Sequence, residues 1–179
     1  MSLHPPRRSP EEEIRLIVLY TVRCMAPCTG VQLQQFLFDY NEINYFDMMF
    51  ALNDLCANGQ AMRERKGENF LYTITPAGEE ALALFGNRVP GSIRSYIEEK
   101  GEAWKEAFRL QEQYPCQIRK KDQGDYVVSL GVQEKEMPLM QFTLSLPTYE
   151  TAAQIAEKWP QKASGFYAAA IRLLTEEET

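Results

Sequence analysis

Three bases crowd one short segment of this 179-residue chain: Arg63, Arg65 and Lys66, interrupted by Glu64 and followed by Gly67 and Glu68. Guanidinium and ammonium groups on a turn can clamp phosphate oxygens. The same segment also reads as a solvated turn whose two glutamates offset two of its three bases. Asn41 and Asn44 carry the paired amide donor and acceptor that can read an adenine edge. Asn equally suits turns and caps, where it bonds its own backbone. Cys24 and Cys28 stand four apart, but Pro27 interrupts them and no other Cys or His has zinc spacing. The single histidine, His4, lies in a proline-rich leader, so Ser–His or Cys–His catalysis has no base in the body of the chain. There is no Walker-type loop and no GxGxxG turn. The acid pairs Glu79 with Glu80 and Glu98 with Glu99 are adjacent on amphipathic patterns and read as solvent faces. These residues predict a protein without catalytic groups, metal or cofactor.

The elements that must carry the bases and amides follow from apolar period and punctuation. Glu11, Glu12 and Glu13 follow Pro10 and suit the start of a helix whose apolar residues run from Ile14 to Val22. Pro27 stops it. Thr29 can cap a second helix bearing Leu33, Phe36 and Leu37, with Gln32, Gln34 and Gln35 on its polar side. Residues 39–42 read as a turn, Asn44 as the cap of a third helix at 45–57, and Asn58 with Gly59 as its end. Strands at 60–66 and 70–74 flank a turn at residues 66–69. Thr75 followed by Pro76 opens a fourth helix to about Phe85. A longer helix after Pro90 reaches about Gln113. The period then changes: residues 116–121, 125–133 and 138–146 alternate as strands, and residues 148–159 and 164–174 read as two helices parted at Pro160.

The composition is 45% hydrophobic and 25% charged, enough for one ordinary domain or two small ones. The expected organisation is a leader (1–10), a first domain (11–86), a linking and dimerising helix (87–113) and a small α+β domain (114–179). The four cysteines, Cys24, Cys28, Cys56 and Cys116, lack framework spacing and read as reduced core residues. No run has the length of a membrane span and no signal peptide is evident, so a cytoplasmic chain without membrane contact is expected. Tyr126, Phe142, Trp159 and Tyr167 are candidate walls of an effector pocket, but a packed sheet-on-helix core explains them more simply, and no effector is identified.

The order helix, helix, helix, hairpin, helix resembles the winged-helix superfamily of bacterial regulators. Leu52 and Leu55 followed by Gly59 look like the end of that superfamily's third helix. Tyr72, Thr73, Ile74 and Thr75 followed by Gly78 look like the strand-to-helix junction of its PadR and MarR groups. The whole chain resembles a family of Gram-positive bacterial proteins of unknown function that add a β-rich C-terminal extension. The resemblance implies an α+β protein: a winged helix-turn-helix, a linking helix, then a β-β-β-α-α domain. It also implies a non-enzymatic, homodimeric transcriptional regulator. Its third helix would lie in the major groove of DNA. Gln32, Gln34, Asn41, Asn44 and Tyr45 would then approach the bases, with Arg63, Arg65 and Lys66 on phosphates.

One departure opens a second reading. The net charge is −6, and residues 26–60 contain no Lys or Arg but include Asp39, Glu42, Asp47 and Asp54. Such a surface repels phosphate. The third helix is apolar on two sides: Met48, Leu52 and Leu55 make one stripe, the expected core, and Phe46, Met49 and Phe50 make another. An apolar stripe beyond the core stripe suits burial or a protein partner. The alternative expectation is therefore a protein-interaction module on the same scaffold that does not bind DNA. Tyr96, Trp104 and Phe108 read first as a packing seam, and their roughly helical spacing also suits the seam of a partner subunit.

Overall fold

A computed structural model of the protein describes residues 11–40, 43–121, 124–135 and 137–176. The chain is mixed α+β and divides into two compact units, Met1–Lys105 and Glu106–Thr179.

The first unit is built on helix α1 (Glu11–Met25), which is apolar around most of its circumference and has nowhere to face but inward. Ile17, Val18, Leu19 and Val22 are essentially inaccessible to solvent. Thr21, the one buried polar residue in this core among the described residues, donates its hydroxyl to the Ile17 carbonyl at 2.8 Å. Strand β1 (Cys28–Thr29), α2 (Gly30–Tyr40), α3 (Tyr45–Ala57), β2 (Ala61–Lys66), β3 (Asn69–Ile74), α4 (Pro76–Phe85), a 3-10 turn (Gly86–Arg88) and α5 (Gly91–Gln113) follow in order. α2, α3 and α4 all pack on α1. β2 and β3 form an antiparallel hairpin closed at Gly67, where φ is +60°. β1 adds two residues to the other edge of β3, pairing Cys28 with Tyr72 and Thr29 with Leu71. This strand was not expected; two residues carry no period. The expected turn at residues 39–42 also begins late, because α2 runs on through Asp39 and Tyr40; Asn41 and Glu42 lie outside the described residues.

The start of α5 belongs to this unit. Ile93 and Ile97 are buried, and the Tyr96 ring lies tilted against Phe36 at 5.3 Å and Tyr40 at 5.1 Å. Trp104 meets Phe36 edge-on at 5.9 Å. Two members of the aromatic seam, Tyr96 and Trp104, thus pack on α2 of their own chain, in keeping with the packing reading.

In the second unit, β4 (Cys116–Lys120), β5 (Tyr126–Glu134) and β6 (Met137–Leu146) form an antiparallel sheet in the order β4-β5-β6. α6 (Tyr149–Thr175) covers one face. Val128, Leu130 and Val132 alternate inward from the central strand onto Ala152, Trp159 and Ala163. The opposite face is polar, with Gln117, Ser129 and Thr143 on neighbouring strands. Tyr126, Phe142 and Tyr167 pack against this core and Trp159 lies within it, donating its indole N–H to the Gly131 carbonyl at 3.0 Å. The expected pair of closing helices is corrected to one: α6 runs unbroken through Pro160. Proline forfeits one hydrogen bond to the preceding turn. Trp159 and Ala163, buried on either side of it, hold the axis continuous by packing.

Two residues tie the hairpin of the first unit to its helices. The Thr75 hydroxyl accepts from Gly78 N–H at 3.2 Å, capping α4, and donates to the Gly59 carbonyl at 2.6 Å. Gly78 is required for space: a Cβ there would stand 2.1 Å from the Gln60 carbonyl oxygen and 2.7 Å from Ile74. The spacing of Thr75 and Gly78 therefore records a helix start pressed against the backbone entering β2. Gly78→Ala should destabilise the chain by about 2 kcal/mol or more, because backbone must move. Gly91→Ala, with nothing within 4 Å of the added methyl, should be neutral or slightly stabilising. Urea unfolding of both variants checks this, and equal midpoints would contradict it.

Candidate interaction surface

α3 is positioned by its inner face. Met48, Ala51, Leu52 and Leu55 are buried, and α1 is the helix they meet. A helical period that buries these four turns Phe46 and Phe50 outward, one turn apart. They are 70% and 72% exposed. Tyr45, 46% exposed, meets the Phe46 ring edge-on at 5.7 Å. Met49 is only half-buried, beside Gly30. Phe38 on α2 is a further ring with 70% exposure. The second apolar stripe seen in the sequence is therefore a solvent face with aromatic side chains.

The polar residues expected to read bases are largely engaged close to home. Thr29 and Gln32 form a reciprocal cap on α2: Thr29 N–H donates to Gln32 Oε1 at 2.9 Å, and Gln32 N–H donates to Thr29 Oγ1 at 3.2 Å. Asn44 caps α3, accepting from Asp47 N–H at 3.0 Å and donating its amide to Asp47 Oδ2 at 2.7 Å. Both halves of the amide are in use, so a bidentate adenine contact would first have to break the cap, at a cost of about 1 kcal/mol. Gln34 is half-buried on α2, Tyr45 lies in the aromatic face, and Asn41 is outside the described residues. Asp39 accepts from the Tyr96 hydroxyl at 2.8 Å, and Asp54 pairs with Arg15 at 3.5 Å.

The hairpin does not gather its bases. Arg63 and Arg65 lie opposite Tyr72 and Phe70 on one face, whereas Lys66 alternates to the other with Met62 and Glu64. The Arg63 guanidinium sits 5.2 Å from the Phe70 ring centre, and Arg65 Nε donates to the Gly67 carbonyl at 3.2 Å. A groove of about 550 Å³ separates α3, at Asn53, Cys56 and Ala57, from β2, at Ala61, Met62 and Arg63. The surface beside the aromatic face thus includes one stacked guanidinium and no lysine or arginine from α2 or α3.

The thiols of Cys24, Cys28, Cys56 and Cys116 are all held toward their protonated form. Burial raises all four, and pushes Cys28 up to about 12. Burial, then the hydrogen bond to Asp39, likewise pushes the Tyr96 phenol up to about 12. Among the described residues no group of His, Cys, Asp and Glu could hold a metal ion, and no helix is long and apolar enough to cross a membrane.

The buried thiol and phenol fix the sign of the alkaline response. Above pH 9 an unfolded Cys28 ionises while the folded one stays neutral, so unfolding releases a proton and stability falls as pH rises toward 12. Urea midpoints should be level from pH 7 to 9 and decline above that, with a shallower decline in Cys28→Ala. A level profile to pH 11, or equal slopes in both proteins, would contradict the assignment.

A search of curated proteins found no match. A family model described as "Domain of unknown function (DUF4364)" matches residues 14–174, which span both units. The chain belongs to that family.

Proposed function

We propose that the N-terminal unit is a winged-helix module of a non-enzymatic cytoplasmic regulator, and that the outer face of α3 docks on a protein. The observation that supports this reading is the pair of exposed rings, Phe46 and Phe50, on a helix that carries no base. An exposed aromatic pair on a rigid helix is the usual anchor of a protein interface, because burying each ring removes large apolar area from water. The partner's chemistry follows from the face: an apolar groove or helix to receive the rings, and no requirement for acidic groups.

DNA binding is the second reading, favoured by the exposed hairpin bases Arg63, Arg65 and Lys66. In that reading the hairpin holds phosphates and α3 contributes apolar contacts to base methyl groups. Its affinity would fall steeply with salt.

Two paired measurements separate the readings. A photo-crosslinking residue at position 50, used in cells that express the protein natively, should yield a defined protein adduct. Affinity for the captured partner should fall by about tenfold or more in both Phe46→Ala and Phe50→Ala. Anisotropy titrations with genomic DNA fragments at low salt should show only weak, sequence-independent binding. Tight, salt-sensitive binding lost in Arg63→Ala/Arg65→Ala/Lys66→Ala would overturn the protein reading and establish the DNA one.

A further inference from the structure

The second unit carries a self-complementary surface along α6. Residues at helical spacing form one stripe down its whole length: Thr151, Ile155, Lys158, Lys162, Phe166, Ala169, Leu173 and Glu176. The first half of the stripe borders a groove of about 390 Å³ between α6 and the edge strand β6. Leu130, Phe142, Leu144 and Trp159 line it, and Lys158 and Lys162 stand on its rim. Phe166 closes one end, stacked on Phe142 at 5.1 Å. No carboxylate lies in ion-pair range of either lysine among the described residues. The second half of the stripe has the opposite character. Leu173 is 71% exposed, and the acidic Glu176 follows one turn later. The same helix therefore offers an apolar slot with a basic rim and an apolar prong with an acidic tip.

We propose that two copies of this chain pair through these halves, with the Leu173 turn of each α6 seated in the Phe142–Leu144–Phe166 groove of the other. An antiparallel crossing of the two helices, with its two-fold near Tyr167, brings Leu173 of one copy to Lys162 and Phe166 of the other. It also brings Glu176 within a turn of the other copy's Lys158. Closed two-fold pairing is the simplest way to satisfy a surface that carries both the receptor and its ligand. The crossing point is open: a methyl on Gly165 would meet nothing within 4 Å, so a second helix can approach closely. Forming the pair exchanges the Glu176 contact with Arg172, 3.6 Å away and largely exposed, for one with Lys158. Because a solvent-exposed pair of this kind contributes little, the exchange costs little. This interface lies in the second unit, whereas α3 belongs to the first.

Sedimentation velocity on the full chain at micromolar concentration tests it. The wild type should sediment as a dimer, and Leu173→Glu should dissociate it while leaving the circular dichroism spectrum unchanged. Lys158→Glu and Glu176→Lys should each weaken the dimer by about tenfold. The two changes together should restore much of the loss. Phe46→Ala/Phe50→Ala should leave the assembly unaltered. A monomeric wild type, a dimer indifferent to Leu173→Glu, or charge reversals that do not compensate would each overturn the proposal.

Discussion

The phase of α3 against α1 is the constraint on which the rest of the first unit turns. α1 is buried on nearly all sides, so any helix beside it must present a continuous apolar stripe. α3 does so with Met48, Ala51, Leu52 and Leu55. With 3.6 residues per turn no freedom is left for the remaining side chains. Phe46 and Phe50 must point away, and the Asn44 cap fixes where the helix starts. The aromatic face is thus a consequence of core packing together with two residues that this packing does not need. Exposing two large rings yields no folding energy, which is the physical reason to look for what they meet.

Electrostatics sharpen the point. A surface that holds DNA gathers most of its free energy by replacing counterions with fixed bases. Here α2 and α3 have none, and the hairpin divides its three bases between two faces. The side-chain amides of Asn44 and Gln32, at the starts of α3 and α2, are engaged in caps. What remains for docking is shape and apolar area, the currency of protein association.

Much of the architecture was legible in the chain because local signals and tertiary packing agree. Asn44, the Thr75–Pro76 start and Gly67 each mark a boundary by a requirement of their own backbone or side chain, and the structure places helix or turn limits there. The spacing of Thr75 and Gly78 was visible as a pattern, but its cause, a backbone oxygen in contact range, is a tertiary fact. Misreadings arose where packing overrode a local rule. Pro160 argued for a break, and Trp159 with Ala163 removed it. β1 is too short for any period to show, and exists because β3 offers an edge. Tyr96 and Trp104 were legible as a packing seam, but their partners Phe36 and Tyr40 were not, because only the meeting of α2 and α5 brings them together. For the candidate surface, both apolar stripes on α3 were legible, and so was the stripe of Met48, Leu52 and Leu55 as the one that faces the core; how far Phe46 and Phe50 stand in solvent was not, since tertiary packing decides it.

The central claim is that the α3 face is open in the free protein. Hydroxyl-radical footprinting of the unbound full chain measures this directly, ring by ring. Phe46 and Phe50 should be oxidised rapidly while Phe36 is spared, a contrast that follows from the exposure of the first two and the complete burial of the third. Protection of Phe46 and Phe50 to the level of Phe36 would mean that the face is already covered within the protein's own assembly, and the account of α3 as a docking surface would fail.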